Sequence, residues 1–211
     1  MKYDRVIWDF NGTILDDVQV GIDSANELLT RYGLDLIKDV DHYHSVFGFP
    51  IKEYYARLGF DFNKHDYTVL AHEWVDIYLR LVESAPIREG VFDIITHLHN
   101  IGVKQTILSM TEQKMLEHQV SLLGIMDMFD EILGKSDVYA YSKAELAQKW
   151  KETHVGEKAL YIGDTTHDAE SASIIGCDCL LLLGGHESKE ILSKSEAVLI
   201  SSPDEIIKLL K

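Results

Sequence analysis

The spacing of apolar residues divides the chain into two regimes. Arg5 to Phe10 is a short apolar run that stops at Asn11-Gly12, a turn dipeptide, and reads as a buried strand. Beyond it the spacing becomes helical. Val18, Ile22, Ala25, Leu29 and Tyr32 recur at helical intervals up to Gly33, a glycine stop, and Asp17 is placed to cap the start. The helical regime continues to about residue 83, with segments around Ile37 to Phe47, from Ile51 to Leu58, and from about Asp66 to Val82. Nothing in that stretch reads as a strand.

After Pro86, helix and strand alternate. Val91, Ile94, Ile95, Leu98 and Ile101 form a helical stripe closed by Gly102, and Gln105 to Leu108 reads as a strand. A helix from Thr111 to Leu123 ends at Gly124, and Glu131 to Leu133 is a short strand. Ser142 with Glu145 forms a capping box for a helix carrying Leu146 and Trp150. The strand Ala159 to Ile162, a helix ending at Gly176, the strand Cys179 to Leu183 and a last helix opened by Ser202, Pro203 and Glu205 complete the pattern.

Repeated strand-helix units imply a parallel sheet covered on both faces. The expected fold is therefore α/β, a doubly wound, Rossmann-like core of residues 1–16 and 85–211. An all-helical insert of residues 17–84 interrupts it after the first strand, and an insert of that length is expected to be a cap rather than a loop.

Composition narrows the partners. The 211 residues are 46% hydrophobic, enough for a substantial core, and the formal charge is −15. Only 20 Lys and Arg are scattered among 35 acids, so neither nucleic acid nor an anionic membrane surface is an expected partner. No apolar run approaches the ~18 to 20 residues that span a bilayer, and no apolar leader precedes the first strand. Cys177 and Cys179 lie two apart in an apolar run and read as small core residues, a usage that suits a reducing compartment. A cytoplasmic location is expected. Nothing in the pattern specifies an oligomeric state.

In open parallel sheets, ligands bind beyond the carboxyl ends of the strands. Four such ends carry polar groups. Asp9-Phe10-Asn11-Gly12-Thr13 follows the first strand, with a glycine that lets backbone N–H groups turn toward an anion. Ser109 follows Thr106-Ile107-Leu108. Lys143 sits at the start of a helix, where the dipole and the ammonium both favour an anion, although Lys135 is near enough to compete. Gly163-Asp164-Thr165-Thr166-His167-Asp168 places two carboxylates four residues apart on one side of a first helical turn. Carboxylates for a hard divalent cation, hydroxyls, a lysine and backbone amides together suit phosphoryl transfer.

The order and context of these four segments resemble the motifs of the haloacid dehalogenase superfamily, in particular its phosphoglycolate phosphatase-like branch with a helical cap. The resemblance covers essentially the whole chain. It implies that Asp9 is the nucleophile that becomes an aspartyl-phosphate, and that Mg2+ is held by Asp9, the backbone carbonyl of Asn11, Asp164 and Asp168, the last directly or through water. It further implies that Thr13 and Ser109 hydrogen-bond the transferring group and that Lys143 neutralises charge between that group and Asp9. Gly12, the cap-loop residues Gly48 and Phe49, and Met110 are the implied contacts to a small phosphorylated metabolite.

One departure from the family pattern bears on turnover. The phosphatases of this family carry, two residues after the nucleophile, an aspartate that protonates the leaving oxygen and then activates water, and here that residue is Asn11. An amide cannot exchange a proton near neutral pH, and losing general acid-base help costs ~10²- to 10⁴-fold in rate. Three readings follow: a phosphatase impaired by Asn11, a phosphometabolite-binding protein with little turnover, or a carbon-phosphorus hydrolase that uses a cap lysine, for which Lys52 is the nearest candidate. The ten histidines read as surface or packing residues, with His167 the one that falls inside a motif. Trp8 and Trp150 read as core.

Overall fold

A computed structural model describes residues 2–135 and 143–210. Its strands are β1 (Arg5–Trp8), β2 (Lys104–Glu112), β3 (Glu131–Lys135), β4 (Ala159–Gly163), β5 (Asp178–Leu182) and β6 (Val198–Ile200). They form one parallel sheet in the order β3-β2-β1-β4-β5-β6. The chain runs outward from β1 to β3 and then returns to the other side of β1. The switch point, where such sheets open a crevice, therefore lies between β1 and β4.

Each face of the sheet has its own core. Val6, Trp8, Ile107, Leu160, Ile162, Leu180 and Leu182 belong to one apolar cluster, packed on α5 (Val91–Asn100), α6 (Gln113–Leu122) and α10 (Asp204–Leu209). The residues between them, Ile7, Leu108 and Tyr161, pack on α7 (Lys143–Thr153) and α8 (Thr166–Ile175). This period-two division of near-continuous apolar runs is what a parallel sheet buried on both faces requires. Trp8 and Trp150 are both buried, as their sequence context indicates.

Between β1 and α5 lie four helices, α1 (Val18–Tyr32), α2 (Val40–Val46), α3 (Ile51–Arg57) and α4 (Tyr67–Val82). They enclose a separate cluster that includes Ile22, Leu29, Tyr43, Tyr54, Leu70 and Ile77. Leu29 is fully buried there, and truncating such a side chain to alanine costs about 2 to 5 kcal/mol. Trp74 of α4 packs against both this cluster and the sheet core, so the two parts meet at its indole.

Several elements depart from the expected pattern. β2 runs on through Ser109, Met110 and Thr111, with a register irregularity against β3 between Leu108 and Glu112, so Thr111 ends a strand rather than opening a helix. The short edge strand β6 and α9 (Lys189–Leu192) are too brief to leave a periodic signature. Asp17 occupies the N-cap position of α1 but makes no capping hydrogen bond, because its carboxylate is drawn into the site described below. The Ser142 half of the expected capping box lies outside the described residues.

Candidate active site

The switch point gathers a buried cluster of charge. Asp9 leaves the end of β1, Asp164 follows β4, and Asp168 sits in the first turn of α8, each 6% exposed or less. Oxygen atoms of the three carboxylates lie within 4.8 Å of one another. Lys143, at the start of α7 and 7% exposed, donates to Asp9 Oδ1 and, at 2.5 Å, to Asp168 Oδ1. Lys135, the competing lysine, ends β3 at the rung opposite Glu112.

The remaining carboxylate oxygens of Asp168 and Asp164 are also engaged. Asp168 Oδ2 accepts from the backbone N–H of Asp164 and Thr165 and from the Thr165 hydroxyl, at 3.1, 2.9 and 2.7 Å. Asp164 accepts from the Thr13 hydroxyl at 2.9 Å and from the backbone N–H of His186 at 2.7 Å. Thr13 thus orients a carboxylate in this geometry. Gly12 is needed for closeness: its φ is +70°, and a Cβ there would stand 2.7 Å from both Asp164 Cγ and His186 Cδ2.

Three buried carboxylates around one ammonium leave an excess of negative charge. Burial pushes the Asp9 carboxyl well above the usual range, Asp168 adds to the rise, and Lys143 opposes it. Asp164 is raised as well, chiefly by burial. For Lys143 burial works against the charge, but Asp168 and Asp9 outweigh it and hold the ammonium protonated. A hard, oxygen-preferring dication fits such a donor set, because it offsets the repulsion that raises these carboxyls.

A second network adjoins the first and contains Asn11. The Asn11 amide N–H₂ donates to Asp17 Oδ2 at 2.9 Å and to the Tyr78 hydroxyl at 2.7 Å. Its carbonyl accepts from the Thr111 hydroxyl at 2.9 Å, and Ser109 is tied to Thr111 through the Thr111 N–H at 3.1 Å. Asp17, 1% exposed, also accepts from Tyr78 at 2.5 Å and from the Gly12 N–H at 2.7 Å. His186 Nε2 lies 3.1 Å from Asp17 Oδ1, and its Nδ1 lies 2.9 Å from the Tyr43 hydroxyl. Although burial lowers the imidazole pKa, Asp17 outweighs it by charge and hydrogen bond, with Asp164 and Asp9 adding to the rise, to about 9. Asp17 in turn is held below its ordinary range, because His186, Tyr78 and Asn11 together outweigh its burial.

The pattern of the haloacid dehalogenase-like hydrolases matches residues 6–182, which include Asp9, Asp17, Lys143, Asp164 and Asp168 but not His186. The chain belongs to that family. Among relatives, it is 21% identical over 205 residues to the Tyrosine-protein kinase PtkA of Mycobacterium tuberculosis, covering 93% of this chain and 67% of the relative. To the phosphoglycolate phosphatase of Synechococcus elongatus it is 20% identical over 205 residues, covering 96% and 95% of the two chains. Among solved structures, a haloacid dehalogenase-like family hydrolase from Streptococcus pneumoniae superposes with a TM-score of 0.84 at 20% identity, over 100% of this chain and 99% of that one.

The structure brings Asp9, Thr13, Lys143, Asp164 and Asp168 together, and Asn11 and Ser109 are linked to one another through Thr111. The loop between α2 and α3 meets the first turn of α8 directly, with Phe49 stacked on His167 at 3.9 Å between centroids. Gly48 is buried and offers its carbonyl to Arg57 at 3.2 Å. Phe49 and Met110 line a cavity at the junction of the two parts, and Gly48 does not. Lys52 is exposed, stands over the Phe62 and Tyr67 rings at 5.2 and 5.9 Å, and is absent from that lining.

The residues that sequence reading passes over are Asp17, Tyr43, Tyr78, Thr111 and His186. A signal existed for His186: Gly184-Gly185-His186 follows closely on the end of β5, and a Cβ on Gly185 would collide with the Asp164 carboxylate. Tyr43 and Tyr78 carry no such signal, since tyrosines on amphipathic helices read as packing.

Proposed function

We propose that the protein is a Mg2+-dependent phosphate monoester hydrolase acting on a small phosphorylated metabolite, with Asp9 as nucleophile and residues 17–84 as a cap over the site. The observation that carries this reading is Asp9 held by Lys143 beside Asp164 and Asp168 at the switch point of the sheet. The phosphoglycolate phosphatase and tyrosine-protein kinase named among its relatives both concern phosphoryl groups. With no span long and apolar enough to cross a membrane among the described helices and both cysteines free, a cytoplasmic setting accords with the reading.

Asp9, Asp164, the Asn11 backbone carbonyl and Asp168 would hold the magnesium. When bound, it supplies positive charge against the phosphoryl oxygens and the carboxylates. Asp9 attacks phosphorus through a carboxylate oxygen, and the bond to the ester oxygen breaks with its electron pair leaving on that oxygen. Lys143 keeps Asp9 ionised and oriented, while Ser109 and the backbone around Gly12 face the transferring group. Water then cleaves the aspartyl-phosphate, releasing phosphate and restoring Asp9.

The geometry at Asn11 favours a slow second step. Its amide is locked by three partners and carries no exchangeable proton for either the leaving oxygen or the attacking water. The same feature supports a second reading, a phosphometabolite-binding protein that forms the phosphoenzyme and scarcely releases it. Mixing the magnesium-loaded protein with an aryl phosphate and following alcohol release in the first turnovers separates the two. A burst followed by steady release is expected; a burst alone favours the binder. Asp9→Asn is expected to remove burst and turnover by at least about 10³-fold, and a burst that survives in this variant would exclude Asp9 as nucleophile.

A further inference from the structure

Beside the charged cluster lies a cavity of about 490 Å³, bounded by α2, α3 and α4 on one side and by the ends of β1 and β2 on the other. Asn11, Met110 and Thr111 form its floor, a step beyond Asp9 and Ser109 on their strands. Its volume falls within the ~300 to 1,000 Å³ of sites that enclose a whole small ligand. The walls are aromatic, with Phe47, Tyr54 and Trp74 prominent, and Trp74 is stacked flat on Tyr78 at 4.9 Å.

Two further observations restrict the occupant. No Lys or Arg is among the described residues lining the cavity, whereas Asp17 and Glu112 are, so a carboxylate or a second phosphate on the ligand would meet no cation except the His186 already committed to Asp17. Second, Asn11 offers no proton to a leaving oxygen, and a leaving group that is stable as an anion needs none.

We propose that this cavity receives the alcohol part of the substrate, and that this part is an uncharged aromatic group. The proposal rests on the phosphatase reading for the placement of the phosphate, but the cavity's preference is testable apart from hydrolysis. It excludes compact carboxylate-bearing esters as good substrates, since their second charge would be stranded among apolar rings.

The test is calorimetric titration of the magnesium-loaded protein with non-hydrolysable phosphonates: methoxynaphthylmethylphosphonate, methylphosphonate and phosphonoacetate. The aromatic ligand is expected to bind at least about tenfold more tightly than methylphosphonate, since burying one ring far exceeds the burial needed for that factor. Phosphonoacetate is expected to bind no better than methylphosphonate. Ala71→Phe, which fills the cavity from α4, is expected to shrink the aromatic-to-methyl affinity ratio by at least about tenfold. If that variant fails to fold, Val75→Trp from the more exposed rim of the same helix replaces it. Phosphonoacetate binding as tightly as the aromatic ligand, or a ratio unchanged in the filled variant, would overturn the proposal. If no phosphonate binds at all, methoxynaphthylmethanol alone decides. Its binding, lost on filling the cavity, would remove the phosphatase reading and keep the aromatic site, and its failure to bind would overturn both.

Discussion

The two walls of the cleft are built on opposite principles. On the sheet side, Asp9, Asp164, Asp168 and Lys143 pack unlike charges at short range, with more negative charge than the lysine offsets. On the side toward the helical insert, Asn11, Asp17, Tyr78, His186 and Tyr43 form a chain of hydrogen bonds in which the one carboxylate faces one imidazolium. The first wall carries an excess of negative charge; the second is balanced in charge as it stands. A wall left unbalanced is suited to binding charge, and a wall already satisfied is suited to fixing shape. This contrast explains how Asn11 can sit beside a charged site without being part of its charge.

The largest expected effect lies on the charged wall. Lys143→Ala would leave Asp9 and Asp168 buried without their counterion, a change that typically costs about 3 to 5 kcal/mol. Turnover is expected to fall by about 10²-fold or more as well, since Asp9, the proposed nucleophile, loses its orienting charge. Chemical denaturation and aryl phosphate kinetics on the purified variant measure both. A variant as stable as the parent would mean that the carboxyls simply take up protons and that the charge contrast between the walls is overstated.

The two walls also differ in how far they could be read from the chain. Asp9 and Asp164 directly follow strands whose apolar runs are plain and Asp168 lies in the next helical turn, so the sequence points to them one strand at a time, while Lys143 is singled out by its place at the start of a helix. The other wall is assembled from α1, α2, α4, the end of β2 and the loop after β5, elements that only the tertiary fold brings together. Asp17 shows the difficulty most clearly. Its place before an amphipathic helix reads as a cap, but a largely buried imidazole and three further donors outcompete the helix N–H groups for the carboxylate. The insert's helices were legible because amphipathic periodicity survives without partners. The edge strand β6, three residues long, leaves no periodicity to find.

A smaller effect is expected at Asn11, where the structure changes what the sequence alone implies. Restoring a carboxylate by Asn11→Asp supplies the missing acid-base group and, on chemistry alone, raises turnover of alkyl esters by at least about tenfold. It also removes the amide donor to Asp17 and sets two carboxylates side by side, at a cost of about 1 to 3 kcal/mol in stability. The double variant Asn11→Asp/Asp17→Asn reverses the amide and the carboxylate and is expected to recover much of that stability while keeping the gain in turnover. Melting temperatures of the four proteins in this cycle, with alkyl and aryl phosphate rates beside them, measure the coupling. Additive losses would show that Asn11 and Asp17 do not act as a pair.

The mildest test concerns the imidazolium at the centre of the second wall. His186 has its pKa raised from 6.5 to about 9 against the opposing effect of burial, with Asp17 the main cause and Asp164 and Asp9 adding to it. The folded protein therefore holds this proton more tightly than the unfolded chain. The stability it contributes is complete below pH 6.5 and is lost as pH rises through about 9, by at most about 3 kcal/mol. Asp17 acts at the opposite flank: its depressed pKa adds stability above the ordinary carboxylate range, which disappears as pH falls through it. Asp9 and Asp164 titrate in both proteins, so the difference between parent and a His186→Asn variant reads the imidazole together with its coupling to them. Unfolding free energies in magnesium-free buffer should therefore converge between pH 6.5 and 9, the parent losing its advantage as the imidazole deprotonates. Curves that stay parallel across this interval would mean that His186 is neutral in the folded protein, and that the second wall is held by neutral hydrogen bonds rather than by an ion pair.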